Sequence, residues 1–551
     1  MTLRTTEGTV PWPVELAIEY REQGYWQDRT ILDYVRDRAE ETPEAEAVID
    51  GDLRLSYRDL LDRVDAAAVR LVGTGLRPDD RILVQLPNGW QFVVLTLACF
   101  RSGIIPVMAL PAHRSHELGY LIDHAEARAI AVAGVLKDFD HEAMAHDLQR
   151  NCPSLELVLV SGTPANERSV ALDELLLPGE PGGLAYPSPD SVALFLLSGG
   201  TTGLPKLIAR THNDYACNVR ENLRVGGFDA TTRYLVVMPA AHNFPLACPG
   251  LLGALFAGGS VVLLPSPEPG RALATIAAEQ ITVTAAVPAV AQKWIEYVVA
   301  HPESAPTTLR VIEVGGSRMP DEIAARVRPV LGATLQQVFG MAEGLINMTR
   351  LDDPDEVIIH TQGRPICDAD EIVVLDEDGD PVPTGMPGLL YTRGPYTPRG
   401  YYAAPEHNER SFRAEGGWYG SGDIVVVRSD GNLIVAGRDK DIINRGGENI
   451  SAEEVENFAY QHDAVQLAAA VAMPDAEVGE RVCLYVVVRP GSSVQLDDIV
   501  GIMHSAGCAR FKFPERLEIV EGLPTTKIGK IDKKLLRDDI AVRLAKSHQR
   551  V

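Results

Sequence analysis

The seven cysteines (Cys99, Cys152, Cys217, Cys248, Cys367, Cys483 and Cys508) are scattered along the chain and include no CxxC pair. That excludes a disulfide framework and a cysteine zinc site, and it suits a reducing compartment. Positive charge is scarce: 51 Lys and Arg stand against 76 Asp and Glu, a formal net charge of -25. A nucleic-acid binder carries a basic footprint, so that class is excluded. A nucleotide ligand is not, because charge at a site is local. The stretch Met1 to Trp12 has no apolar signal core, so a cytoplasmic protein is expected. Repeats and low-complexity tracts are absent. One uncharged segment, Asn243 to Pro267, has the length of a membrane span. Pro245, Pro249, Pro265 and Pro267, with Gly250, Gly253, Gly258 and Gly259, break it up. It reads as a buried helix Leu251–Ala257, a Gly-Gly turn and a buried strand Val261–Leu264, so no membrane partner is expected.

What is present is the composition of a globular protein, 46% apolar and 23% charged. At 551 residues the chain exceeds one hydrophobic core, so two or more domains are expected. Helical spacing over Arg29 to Ala39 and Leu55 to Leu71, the latter capped by Ser56, alternates with apolar strand runs. Those runs are Arg81–Leu86, Ile104–Leu110, Leu157–Val160 and Val192–Leu197. Trp90 to Gly103 is almost wholly apolar and predicts a helix buried on all sides. This βαβα rhythm predicts an α/β fold with parallel-type sheets covered by helices. After Lys440 the pattern changes. Ser451-Ala452-Glu453-Glu454 reads as a capping box. Strands Val465–Val471, Val482–Val488 and Leu517–Val520 follow, with a helix near Leu496–Met503. The expectation is a large N-terminal domain, 1–439, and a small α+β C-terminal domain, 440–551.

The chain is organised around Ser198-Gly199-Gly200-Thr201-Thr202-Gly203-Leu204-Pro205-Lys206. A strand enters this loop and a second extended run, Leu207–Ala209, leaves it. Glycines let backbone N–H groups approach a ligand, successive N–H groups make an anion concavity, and hydroxyls and Lys206 complete a triphosphate cradle. A Walker loop or a dinucleotide fingerprint opens a helix, and the extended exit fits neither. By itself such a loop is equally readable as a Gly-rich hairpin turn. A second landmark is Val338-Phe339-Gly340-Met341-Ala342-Glu343, with Glu343 at the mouth of a strand, where ligands bind in open α/β sheets. Its carboxylate suits Mg²⁺ on a nucleotide, although a solvated loop glutamate is the plain alternative. Asp423, in Tyr419-Gly420-Ser421-Gly422-Asp423, has the chemistry to accept both ribose hydroxyls; a surface ion pair with Arg438 is the plain alternative.

The string Ser-Gly-Gly-Thr-Thr-Gly-x-Pro-Lys resembles the phosphate loop of the adenylate-forming superfamily. The other landmarks follow in that superfamily's order from roughly residue 50 to 540. The resemblance implies ATP and Mg²⁺ as cofactors. Phe339, with Val338, Gly340 and Gly316 around it, would lie beside adenine, and Glu343 would hold the metal. Gly437-Arg438-Asp439-Lys440 is similar to the hinge element, which puts Arg438 on ribose and phosphate and makes Lys440 the hinge of a mobile C-terminal domain. Lys530, after Gly529, matches the catalytic lysine. The neighbouring Lys527, Lys533 and Lys534 read as a solvated face.

His242-Asn243-Phe244-Pro245 selects the subfamily. Adenylation domains for α-amino acids usually place an aspartate where this chain has Asn243. An amide hydrogen-bonds a phenol but leaves a buried ammonium unpaired, at a cost of several kcal/mol. Phe244 offers a ring face to a flat substrate, while Gly315, Gly316 and Ser317 lack bulk and leave room for a ring. Together with Gly340 to Gly344 this resembles aryl-acid AMP ligases of siderophore pathways, which load salicylate or 2,3-dihydroxybenzoate onto an aryl carrier domain. Within that family Cys248, a poor hydrogen-bond donor, and the bulky Ile346 point to salicylate or a substituted salicylate. Met341 completes the pocket, and Cys248 is also readable as a small buried hydrophobe. The expected partner is a phosphopantetheinylated aryl carrier protein supplied in trans. His242 is expected to gate the pocket or meet the thiol. An aryl-CoA ligase using free CoA is the alternative enzyme, and a catalytically silent nucleotide binder the alternative class.

Overall fold

The computed structural model describes residues 6–198, 204–316, 318–319, 321–376, 378–413, 416–438, 442–524 and 531–548. Of residues 322, 437, 438, 442, 453, 547 and 548 it describes the backbone alone. The described chain forms two compact units. One runs to Pro111 and continues through Leu121–Ser198 and Leu207–Gly437. The other takes in Ala112–Tyr120, the short stretch ending at Lys206, and the chain from Arg438 onward.

Two central sheets organise the large unit. In the first, strands Ile105–Met108, Arg81–Gln85, Ala129–Ala133, Leu157–Ser161 and Val170–Ala171 all pair in parallel. Val192–Leu197 joins this array in parallel at Ile105–Met108, and Leu207–Thr211 then closes the edge antiparallel. In the second, the six strands Glu46–Asp50, Ser260–Leu263, Arg233–Val236, Val283–Ala286, Val311–Val314 and Thr334–Met341 pair in parallel. Antiparallel strands flank them on both sides. Parallel strands buried on both faces read as continuous apolar runs, which is why the sequence shows them so plainly.

Helices form where local chemistry starts and stops them. Ser56 accepts from Asp59 N and Asp59 reaches back to Ser56 N at 3.0 Å, opening the helix Tyr57–Gly73. Leu55 belongs to the preceding strand instead. Trp90–Ser102 is buried from Phe92 to its end and stops at Gly103 in the left-handed region. Gly250–Ala257 and Ser260–Leu263 are the expected buried helix and strand. Among the described residues no helix is long and apolar enough to cross a membrane.

One part of the large unit departs from the parallel-type expectation. Glu371–Leu375, Pro387–Arg393, Tyr419–Val427 and Leu433–Arg438 form a separate four-stranded sheet whose first three strands pair antiparallel. A short hairpin connection joins the first two strands, and the longer connection to Tyr419–Val427 carries the helix Pro405–Ser411 without making a parallel crossover, so the rhythm read upstream does not extend here.

The small unit is α+β. Glu448–Ser451, Ile442–Arg445, Gly479–Val488 and Val465–Asp475 make an antiparallel array, and Arg516–Ile519 adds in parallel to Gly479–Val488. Ser451 caps the helix Ala452–Ala459 by accepting from Glu454 N at 3.3 Å. The second half of the expected capping box is absent, because the Glu454 carboxylate is taken by Lys512 Nζ at 2.9 Å. Lys512 also lies 3.1 Å from Glu117. His116, Glu454 and Cys508 sit within metal-ligand reach of one another, but the Lys512 ammonium already neutralises Glu454 in a buried ion-pair network with Glu117. Lys533 is likewise not a solvated lysine, since it pairs with Glu456 at 2.7 Å.

Candidate active site

The central loop is the connection of an antiparallel hairpin, closed by the pair Leu197 and Leu207. Its exit is a strand, as the sequence indicates, and the flanking strands pair as a hairpin. Ser198 is buried at the loop's entrance, and its Oγ has no hydrogen-bond partner among the described residues. An unpaired buried hydroxyl is costly unless a ligand or water meets it. Lys206 is also buried. Gly199, Gly200, Thr201, Thr202 and Gly203 lie outside the described residues, as do Ser317, Lys440 and Lys530.

Strand Thr334–Met341 delivers the second landmark. The chain turns through Ala342 and Glu343 and returns as Gly344–Met348. Gly344 has φ +139, and a Cβ there would lie 2.4 Å from Thr397 Oγ1, so only glycine makes this turn. Glu343 is 8% exposed. The Tyr401 hydroxyl donates to Glu343 Oε1 at 2.9 Å and shares a 3.2 Å hydroxyl contact with Tyr419. Arg210 Nη1 donates to Ala342 O at 3.0 Å and fixes the backbone one residue earlier. The turn therefore presents one hard oxygen-donor carboxylate in a set orientation, a donor set that fits a divalent cation. Val338 is buried and Phe339 half-buried, and Gly340 is packed so that a Cβ would lie 2.9 Å from Ile346 Cγ1. The glycine is what admits Ile346.

Asp423 lies buried on Tyr419–Val427, the strand that begins with Tyr419. Its N–H donates to Ser421 Oγ at 3.0 Å. Arg438 ends the strand Leu433–Arg438.

Of the residues predicted to line an aryl pocket, Asn243 and Phe244 lie on the short helix Asn243–Ala247 and Cys248 ends it. His242 caps it: Nδ1 accepts from Phe244 N at 3.3 Å, which requires that nitrogen to be unprotonated. Asn243 is buried, its Oδ1 accepts from the Tyr215 hydroxyl at 2.8 Å, and its Nδ2 points to Cys248 Sγ at 3.3 Å. With one carbonyl lone pair taken by Tyr215 and one N–H aimed at Cys248, Asn243 keeps a second N–H to offer a ligand. Tyr215 in turn lies under the Arg210 guanidinium, 4.8 Å from ring centroid to Cζ. Arg210 pairs with Asp214 at 2.6 Å, both fully buried. Burial pushes the Cys248 thiol up; Arg210 opposes this and Glu313 adds to it. Gly315 sits against Phe244: a Cβ there would lie 3.2 Å from that ring and 2.9 Å from Val338 O. The room expected at Gly315 is thus occupied by Phe244 itself, since an aromatic ring fills a bare backbone surface in a close-packed interior. Gly316 follows in the same turn, and Met341 is half-buried at the end of its strand.

Sequence reasoning missed Arg210, Tyr215, Tyr401 and Glu313. A signal existed for two of them. Arg210 and Glu313 are charges inside otherwise apolar strand runs, Leu-Ile-Ala-Arg and Val-Ile-Glu-Val, and a charge in a buried strand needs a reason.

A family profile described as AMP-binding enzyme matches residues 35–402, and one described as AMP-binding enzyme C-terminal domain matches residues 454–530. A "Salicylyl-CoA synthase / salicylate adenylyltransferase" from Streptomyces sp is 55% identical over 541 residues, covering 97% of this chain and 98% of that protein. A "Salicyl-AMP ligase / salicyl-S-ArCP synthetase" from Mycobacterium tuberculosis is 46% identical, covering 96% and 94%. Among solved structures, apo MbtA of Mycobacterium smegmatis superposes with TM-score 0.75 at 44% identity, covering 96% of this chain and 98% of that one. The chain belongs to the AMP-binding enzymes, and within them to the adenylate-forming aryl-acid-AMP ligases.

Proposed function

We propose that this enzyme joins salicylate, or a ring-substituted salicylate, to ATP, and then passes the aryl group to a phosphopantetheine thiol on an aryl carrier protein in siderophore or related nonribosomal peptide assembly. The observation that carries the choice of acid is Asn243, fixed by Tyr215 so that it offers an N–H beside Cys248. That group suits the oxygen of a 2-hydroxyl and gives nothing to an ammonium.

In the first step a carboxylate oxygen attacks the α-phosphorus and pyrophosphate leaves. The Ser198–Lys206 loop holds the β- and γ-phosphates, and Asp423 and Arg438 hold the ribose and phosphate, with Val338, Phe339, Gly340 and Gly316 around the adenine. Lys530 bridges carboxylate and α-phosphate where charge shifts, the placement from which a fixed cation contributes most. Glu343, oriented by Tyr401, suits Mg²⁺, which when bound neutralises charge on the departing pyrophosphate. In the second step the segment from Lys440 onward (440–551) pivots away from the 1–439 domain, a gating device that removes Lys530. The thiolate then attacks the acyl carbon and AMP leaves. His242, at the head of the pocket helix, borders the thiol's path. ATP as the activating substrate suits work in the cytoplasm.

A second reading concerns only the acceptor. The Streptomyces relative carries salicylyl-CoA in its name, which favours free CoA as the thiol. Pyrophosphate–ATP exchange with salicylate, 6-alkylsalicylate, 2,3-dihydroxybenzoate, benzoate and amino acids tests the acid. The highest kcat/KM is expected for a salicylate and background for amino acids; preferred amino acids, or background with every aryl acid, overturn the reading. Mass analysis of thioester formed on a carrier domain or on CoA separates the acceptors. Lys530→Ala is expected to abolish exchange while sparing thiol transfer from pre-formed aryl-AMP, and equal loss of both steps contradicts the pivot.

A further inference from the structure

Glu313 occupies the middle of a parallel sheet, a place where a carboxylate has no ordinary use. On Val311–Val314 the side chains alternate: Ile312 and Val314 enter the core around Trp294, while Val311 enters the opposite core with Tyr234, Val338, Phe244 and Cys248. Glu313 follows the phase of Val311 and so faces the core that contains the aryl pocket. Two residues on, in the same phase, Gly315 touches the Phe244 ring. Glu313 is 0% exposed, and neither of its carboxyl oxygens has a hydrogen-bond partner among the described residues. The same holds for the fully buried Tyr234 hydroxyl and for Oε1 of Gln336, the residue paired with Glu313 on the next strand. Glu313 and Cys248 both act electrostatically on Tyr234, whose phenol is pushed up chiefly by burial, so the three groups share one patch. Burial pushes the Glu313 carboxyl well above the ordinary range, so it holds its proton and offers one donor and one acceptor.

Unpartnered polar atoms of this kind are costly to bury. The two Glu313 oxygens and the Tyr234 hydroxyl, all unpartnered on the face of the sheet that carries Val311 and Gly315, mark a place built for something that pairs with them. We infer that Glu313 and Tyr234 form a polar subsite of the aryl slot that takes a neutral hydrogen-bond donor, a hydroxyl or an amino group, carried on the ring of the acid. The inference rests on the aryl-acid reading above and sharpens it: the substrate class is a salicylate with a further polar substituent. A second cation is disfavoured there, because the buried Arg210 guanidinium already acts on Cys248.

The test compares kcat/KM in pyrophosphate–ATP exchange for hydroxy- and amino-salicylates against their methyl isosteres, at each open ring position, in the wild type and in Glu313→Leu and Glu313→Gln. The wild type is expected to prefer one hydroxyl- or amino-bearing acid over its methyl isostere by about tenfold or more. Glu313→Leu is expected to bring that ratio to near unity or invert it, with Tyr234→Phe moving it the same way. Whether the hydroxyl or the amino member wins identifies the substituent. Robust exchange with no polar preference at any position, or a ratio unchanged in Glu313→Leu, overturns the inference and leaves the aryl-acid reading standing. Background exchange with every aryl acid overturns both. Melting without substrate supplies a fold control: Glu313→Leu is expected to melt at or above the wild-type temperature, because it removes an unpaired buried acid. A drop of several degrees with the substrate ratio intact assigns Glu313 a purely structural role and also overturns the inference.

Discussion

Two buried glutamates thirty positions apart, Glu343 and Glu313, hold opposite places in the same unit. Glu343 is held by the Tyr401 hydroxyl, on a turn whose preceding carbonyl is pinned by Arg210. Glu313 has no partner at all among the described residues. A carboxylate that receives a hydrogen bond is oriented before its ligand arrives, which is the arrangement a metal-holding oxygen needs. A carboxyl left unpaired in an apolar sheet stays neutral and waits for a ligand to complete it. One unit thus contains an acid prepared by the protein and an acid to be satisfied by the substrate.

The sharpest way to break this contrast is Glu343→Ala. It is expected to lower kcat for exchange about a hundredfold or more, with an unchanged circular-dichroism spectrum; a loss under threefold would remove Glu343 from the metal role. Next, Tyr401→Phe deletes only the orienting O–H. It is expected to weaken apparent Mg²⁺ affinity about tenfold, read both by magnesium titration of exchange and by direct manganese binding in the presence of ATP. Unaltered binding would make Tyr401 a packing residue.

The Glu313 side of the contrast is tested by pH. Its folded-state pKa is raised, so above the ordinary carboxylate range the unfolded chain has released a proton that the folded chain still holds. Stability then falls as pH rises through that window, by at most about 1.4 kcal/mol per pH unit for one group. The melting-temperature advantage of Glu313→Leu should therefore widen from pH 5 towards neutrality. A constant difference would mean the acid is ionised in the fold. Tyr234 and Cys248, the titratable groups beside it, stay neutral over this range because burial raises both. The smallest expected effect is Cys248→Ser, which supplies a hydroxyl donor and should shift the kcat/KM ratio of 2,3-dihydroxybenzoate to salicylate upward a few-fold. No shift would take Cys248 out of the specificity argument.

How much of this was legible follows from the range of the interactions. Helices and parallel strands announce themselves within a dozen residues, through caps such as Ser56 with Asp59 and through apolar runs such as Phe92 to Cys99. The landmark motifs are equally local. Long-range pairing is not: Arg210 meets Ala342, Tyr401 meets Glu343 and Tyr215 meets Asn243 across many intervening residues. The Glu454 carboxylate failed to close its capping box for the same reason, since a distant lysine outcompetes a neighbouring N–H. The motif around Asn243 and Phe244 suggested a slot for a flat acid with room at Gly315, but only the fold shows that Phe244 itself packs against Gly315.

The Tyr215 hydroxyl on Asn243 also limits how readily this scaffold could be retooled. Writing aspartate at Asn243, the obvious edit for seating an amino acid, hands the new carboxylate a tyrosine O–H it does not need and strips Cys248 of its N–H. Where Asn243 reads the acid as proposed, Tyr215, Asn243 and Cys248 have to change together, and drift from aromatic acids to amino acids becomes a coordinated event and not a single step.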